Sequence, residues 1–212
     1  MNQVADRFPD ARAPRAPSDG RPQPSFDVVA VGSSAGGLAA LTQLMSLLPG
    51  DLPATMLVVQ HLDPRHRSLM AEILAKRTSL TVKQAEDGEL IDPATVYIAP
   101  PDKHLLANPD RTLSLTQSEL VHFVRPSADL LFESVAAAFR ERAIAVVLTG
   151  SGSDGSMGVR AIKKMGGTVI AQDEHTSEYF SMPSASIDTG AVDFVLPIEE
   201  IASALVSLVV GR

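Results

Sequence analysis

Val28-Val29-Ala30-Val31-Gly32-Ser33-Ser34-Ala35-Gly36-Gly37 is the stretch that decides the fold. Its first four residues form a short apolar run, rich in β-branched side chains, that stops at a glycine. A run without polar alternation is the pattern of a strand buried on both faces. Beyond the glycines, Leu38, Leu41, Leu44, Met45 and Leu48 recur at helical spacing until Pro49-Gly50 ends the helix. Strand, glycine turn and helix in that order open a unit whose next strand lies parallel to the first.

The alternation continues outward from there. Residues 56–59 form a second buried strand, 68–76 a helix and 82–85 a short strand. Residues 127–140 form a helix with Leu131, Phe132, Val135 and Phe139 on one face. Residues 143–148 give a third buried strand, and a helix over 154–165 is closed by Gly166-Gly167. Residues 169–171 and 193–195 are further strands, and 198–209 the last helix. Between them, 95–99, 105–107 and 112–115 are short strands broken by Pro, Asp and Asn, a spacing that suggests an antiparallel excursion. The expected fold class is α/β: a doubly wound, mostly parallel sheet with helices on both faces and a short antiparallel β-hairpin excursion. Ligands of such sheets bind beyond the carboxyl ends of the strands, so the residues just after each strand are the candidates for chemistry.

Composition narrows the function. The chain has 212 residues and no cysteine, which excludes disulfides, thiolate metal sites and a cysteine nucleophile. A net charge of -7 argues against nucleic acid as a partner. No apolar run reaches the ~18 residues a membrane span needs, and no secretory signal pattern opens the chain. Cytoplasmic location is the expectation. Residues 1–26 hold five of the 15 prolines and few apolar side chains, so they are expected to be a disordered tail ahead of a single domain over 27–212. Aromatic residues make up only 4%, without tryptophan, which leaves no stacking platform for bases or sugars.

Three strand ends carry candidate groups. The Gly32–Gly37 turn allows three readings: a phosphate cradle, a nucleophile elbow matching G-x-S-x-G with Ser34 at its centre, or glycines that only permit tight packing. The first fits poorly, because Ser34 stands where the dinucleotide fingerprint needs glycine and no P-loop lysine follows. His61 follows the second strand. Asp154 follows the third, in Thr149-Gly150-Ser151-Gly152-Ser153-Asp154-Gly155, where it could equally be the N-cap of the next helix. Serine, histidine and aspartate on one sheet edge are what general-base activation of a hydroxyl requires. His66, His104, His122 and His175 lie in loops or edge segments without metal-ligand spacing, so no metal and no cofactor are expected. The order Ser, His, Asp and the short chain do not suit an α/β-hydrolase.

These segments, in their order, resemble the catalytic domain of CheB-type chemotaxis methylesterases. Gly32-Ser33-Ser34-Ala35-Gly36-Gly37 is similar to the family's G-A-S-T-G-G, and Val59-Gln60-His61 to its histidine-bearing strand end. Asp87-Gly88, Tyr97-Ile98-Ala99-Pro100 with His104, and Arg125-Pro126-Ser127 followed by Asp129-Leu130-Leu131-Phe132 are similar to later family segments. So are Leu148-Thr149-Gly150-Ser151-Gly152-Ser153-Asp154-Gly155, Ala171-Gln172-Asp173 and Met182-Pro183. The likeness spans residues 27–210.

The resemblance implies a serine hydrolase that removes methyl esters from glutamates of methyl-accepting chemoreceptors; related enzymes also deamidate certain glutamines. It implies Ser34 as nucleophile, His61 as base, Asp154 as the partner orienting it, and the backbone N–H groups of Ala35 and Ser151 as the oxyanion hole. Ala35 stands where the family has threonine, Ser151 where it has methionine, and Val124 where a histidine often precedes Arg-Pro-Ser. The 26-residue tail is too short to be the receiver domain that family members commonly carry, so the expectation is a stand-alone catalytic domain, with a separate regulator protein left open. Two readings from other classes remain at this point: a nucleotide-binding module, and a catalytically idle scaffold of the same fold.

Overall fold

The structure, a computed structural model, describes residues 28–61 and 68–210. The expected tail over 1–26 and His66 lie outside the described residues. β1 (Val28–Ser33), β2 (Thr55–Gln60), β3 (Thr81–Gln84) and β4 (Thr95–Ile98) join β7 (Ala143–Val147), β8 (Thr168–Gln172) and β9 (Phe194–Leu196) in one seven-stranded sheet. Its order is β3-β4-β2-β1-β7-β8-β9, and every pairing is parallel. β5 (His104–Ala107) and β6 (Leu113–Thr116) form a separate antiparallel pair.

The expected excursion is therefore smaller than the spacing suggests. Of the three short strands, the first is β4, a parallel strand between β3 and β2. All four of its residues are buried, the signature of a strand covered on both faces. Only β5 and β6 leave the sheet.

Two apolar layers cover the sheet. On one face, Leu41 and Leu44 of α1 (Gly37–Leu47), Leu74 of α2 (Met70–Ala75) and Leu205 of α6 (Ile198–Val210) pack on Val29, Val31, Met56 and Val58. On the other, Phe132 and Val135 of α3 (Ala128–Phe139), Ile162 of α4 (Ser156–Lys164), Met182 of α5 (Ser181–Ile187) and the β5–β6 pair pack on Val28, Ala30 and Leu57. Alternate residues of one strand thus feed opposite cores.

α5 has no counterpart in the sequence reading. Its Ser-Met-Pro-Ser-Ala-Ser-Ile is poor in helix formers, and Pro183 is tolerated because it sits in the first turn. Tertiary bonds hold it: Met182 N–H donates to Gly150 O at 3.0 Å and the Met182 side chain is fully buried.

The topology places the chemistry. The chain runs from β1 outward to β2 on one side and later enters β7 on the other, so β1 and β7 meet where the winding reverses. The carboxyl ends of β2, β1 and β7 are three adjacent strand ends at this switch point, where ligands of open parallel sheets bind.

Candidate active site

Each of the three adjacent strands leads into a segment that carries one of the candidate residues. Ser34 follows β1, His61 follows β2, and Asp154 lies seven residues past β7 in the loop leading to α4. The register of β1 on β2 pairs Ser33 with Gln60, so Ser34 and His61 leave the sheet side by side. His61 Nε2 stands 2.8 Å from Asp154 Oδ2. That contact leaves Nδ1, which has no partner among the described residues, as the ring atom that can face a hydroxyl. Ser34 Oγ makes no hydrogen bond among the described residues.

The two neighbouring serines differ in environment. Ser33 is fully buried and its hydroxyl donates to Gln60 Oε1 at 2.7 Å. Ser34 is half-buried. The left-handed residue of the turn is Gly36, with φ 76°, and not the serine, so Ser34 is presented without positive-φ strain.

Gln60 ties the nucleophile's residue to the histidine. Its Nε2 donates to Ser34 O at 2.7 Å and to His61 O at 2.9 Å. The amide is 5% exposed, so its bonds form away from competing water. A Cβ at position 37 would overlap Gln60 Oε1, which requires glycine there. Sequence reasoning passed over Gln60, although one polar residue ending an otherwise apolar, doubly buried strand was a visible signal.

Thr149 fixes the other side. Its carbonyl accepts from Ser34 N–H at 3.1 Å, and its hydroxyl donates toward Ala35 O (3.1 Å) and Tyr179 O (3.2 Å). Gly150 N–H is taken by Tyr179 O at 2.8 Å. Among the described residues, neither Ala35 N–H nor Ser151 N–H donates to a protein acceptor. These two donors flank Ser34's loop and the β7–α4 loop and are open to a ligand.

Asp154 is held by four donors. Besides His61, its carboxylate accepts from Ser127 Oγ (2.8 Å), Ala128 N–H (2.6 Å) and Asp129 N–H (3.1 Å). Burial pushes the Asp154 carboxyl up, but the bonds from His61, Ala128, Ser127 and Asp129 outweigh it and hold the group below the ordinary carboxylate range. An ionised, oriented acceptor for imidazole results. The N-cap position of α4 is Gly155, with no side-chain cap bond, so Asp154 is not the N-cap of the helix that follows it. It caps the first turn of α3 instead.

His104, the first residue of β5, is completely buried beside this network. Its Nδ1 accepts from Ser127 N–H at 3.1 Å, which makes Nε2 the protonated nitrogen, donating to Glu119 O at 3.1 Å. It props the residue whose hydroxyl props Asp154. Ser127 and His104 were missed because their partners lie 27 and 23 residues away along the chain. For a nucleotide site, β2 would need a ribose-holding acid at its end. It ends in Gln60, spent on backbone carbonyls.

Comparison with known proteins bears on the family and the fold. The family model described as CheB methylesterase matches residues 29–205. A Moorella thermoacetica protein named protein-glutamate methylesterase/protein-glutamine glutaminase is 41% identical over 193 residues, 89% of this chain and 46% of its own. A Thermotoga maritima protein of the same name is 41% identical, over 89% of this chain and 56% of its own. The chain thus spans about half the length of these relatives, whereas a 38% identical Leptospira interrogans relative is matched over 95% of its length. Among solved structures, the Thermotoga maritima CheB methylesterase catalytic domain superposes with a TM-score of 0.84 at 41% identity, covering 87% of this chain and all of that one. With the family model matched over residues 29–205 and the solved catalytic domain superposed over 87% of the chain, this chain belongs to the CheB methylesterase family.

Proposed function

We propose that this protein hydrolyses the γ-methyl esters of glutamate residues on methylated chemoreceptor-like proteins, with deamidation of glutamine by the same groups. The observation that carries the reading is the 2.8 Å His61–Asp154 contact on the sheet edge that also presents Ser34. The relatives' names supply the substrate class.

In this reading Ser34 Oγ attacks the ester carbonyl and its proton passes to His61 Nδ1. The carbonyl oxygen becomes an oxyanion held by the Ala35 and Ser151 N–H groups, each worth about 3–4 kcal/mol to the transition state. Collapse breaks the C–O bond, and the His61 imidazolium gives its proton to the departing methoxide, which leaves as methanol. For glutamine the leaving group is ammonia. Water then attacks the acyl-enzyme, His61 takes its proton, and the glutamate leaves as Ser34 recovers its hydrogen. Asp154 stays ionised and stabilises the imidazolium. The hydrogen bond between Ser34 and His61 forms as the ester is engaged, as catalytic contacts often tighten only in the complex.

Methanol release from methyl-labelled receptor fractions tests the reading. The wild type should release methanol, and Ser34→Ala should lose roughly 10³-fold or more of turnover with its melting temperature kept. Ser33→Ala should retain turnover within an order of magnitude. Equal loss in both, or loss in Ser33→Ala alone, would sink the assignment. A fluorescent nucleotide that binds the wild type would favour the nucleotide-binding alternative.

A further inference from the structure

Phe123 is 95% exposed, while Phe132 and Phe139 are buried. It does not sit on a loose loop. Val121 and Val124 exchange both backbone hydrogen bonds, at 3.2 and 2.9 Å, so His122 and Phe123 are the two central residues of a tight reversal. Both are left-handed, with φ 49° and 64°. Such a reversal normally takes Asn-Gly, and a bulky aromatic there is a strained choice. Backbone strain of this kind is retained where surrounding contacts over-determine it, and it clusters at functional sites.

The surrounding contacts are present. His122 Nε2 lies 3.2 Å from Asp129 Oδ2. Arg125 donates to the carbonyls of Gln117 (3.3 Å) and Ser118 (2.6 Å) and, through Nε and Nη2, to Asp102 Oδ1 (3.0 and 2.6 Å). The base of the finger is pinned and the phenyl ring is pushed into solvent.

The finger borders the catalytic histidine. A cleft of about 180 Å³ is walled by His61, Leu120, Phe123, Val124, Arg125 and Asp102. Leu120 is itself 54% exposed. A glutamyl ester hangs from its backbone by three carbon–carbon bonds of roughly 1.5 Å each. A polypeptide delivering that ester to Ser34 must therefore lie against the rim of the site, where Phe123 and Leu120 stand.

We infer that Phe123 and Leu120 form the docking point for the protein substrate, receiving an apolar side chain that neighbours the esterified glutamate on the substrate's surface. The inference rests on the methylesterase reading above. The cleft continues from the catalytic histidine to the finger, which selects the ester-bearing protein as occupant. The specificity it provides is for polypeptide context and not for the ester itself.

The test separates protein substrate from small probe. Phe123→Ser and Leu120→Ser are compared with the wild type for methanol release from methyl-labelled receptor and for labelling of Ser34 by a small alkyl fluorophosphonate. The expected result is a KM for receptor raised roughly tenfold or more in Phe123→Ser, the scale of an aromatic anchor lost from an interface. Labelling rate and kcat should stay at wild-type values. An unchanged KM overturns the inference. So does a labelling rate that falls in parallel, because the finger would then only position His61, and so does a dimer in sedimentation that Phe123→Ser abolishes. If the wild type is labelled at another residue or releases no methanol, the methylesterase reading itself fails and takes the docking point with it.

Discussion

At the scale of single residues, one amide that makes no bond in the proposed chemistry, that of Gln60, fixes the backbone of both Ser34 and His61. Ser34, His61 and Asp154 could be named because each follows a buried strand, and parallel strands deliver their ends to one edge. Gln60 becomes visible only once β1 lies beside β2, because its amide spends its donors on the carbonyls of Ser34 and His61. Gln60→Met keeps the length of the side chain and removes both donors. The Ser34 carbonyl then keeps only Gly37 N–H, the His61 carbonyl loses the amide donor and the buried Ser33 hydroxyl loses its Gln60 acceptor, a cost of about 2 kcal/mol in stability. Because displacement of a catalytic group by about 1 Å can cost 10²-fold, kcat should drop at least tenfold while KM for the receptor holds. Steady-state kinetics beside urea unfolding decides the matter: a variant that loses stability but keeps kcat makes Gln60 a packing residue only.

At the scale of elements, two helices exchange caps. Asp154, from the loop before α4, accepts the Ala128 and Asp129 N–H groups at the start of α3. Asp129, in the first turn of α3, accepts the Met157 and Gly158 N–H groups at the start of α4, at 2.9 and 2.7 Å. Each carboxylate meets the positive end of the other's helix. Local sequence spacing points to a cap within one's own helix, so the reading of Asp154 as a candidate cap had the right chemistry and the wrong helix. The difference changes what Asp154→Asn should do. As an ordinary N-cap, Asn would replace Asp freely. Here both oxygens accept two bonds, and an amide NH₂ in place of either turns a donor toward donors. The variant should lose about 2 kcal/mol or more of stability. Turnover should also fall, by an amount between about 10² and the roughly 10⁴-fold that the same Asp-to-Asn change costs in a serine-protease triad, where the amide imposes the wrong imidazole tautomer. Denaturation and methanol release on the same preparation check both losses; wild-type values in both would remove Asp154 from cap and site alike.

At the scale of the whole molecule, the sheet with its two covered faces followed from apolar runs alone, because a strand buried on both sides needs no partner information to be recognised. Which short strands left the sheet did not follow, since a four-residue apolar run fits either arrangement until its neighbours are known. The global stability now carries opposing pH limbs from the same network. Asp154 is depressed in the fold, so its contribution is complete above the unfolded carboxylate range near pH 4 and is lost as pH falls through its lower folded value. His104 is also depressed, through burial first and then the charge of Arg125, partly offset by Glu119 O, Asp154 and Asp102. It stays neutral when the unfolded chain takes up a proton, so stability falls as pH drops below about 6.5. Asp129 runs the other way. Burial raises it most, the bond from Gly158 N–H opposes that, the neighbouring Asp154 charge raises it further, and His122 and Met157 N–H lower it. A raised carboxyl binds its proton more tightly folded than unfolded, so its contribution is present below the unfolded value and lost as pH rises through the folded one. Asp129→Asn removes that limb while its amide oxygen can still accept from Met157 and Gly158. Its NH₂ takes the place of Oδ2, a buried oxygen without a hydrogen-bond partner despite the 3.2 Å approach of His122, an ion-pair distance without bonding geometry. Relief of one charge beside Asp154 acts in the same direction. The variant should therefore be at least as stable as the wild type at pH 7, and its advantage should shrink steadily as unfolding is measured at lower pH toward 4. An advantage that grows on acidification would mean that the ionised Asp129 stabilises the fold, and the crossed caps would then owe their strength to charge at both helices.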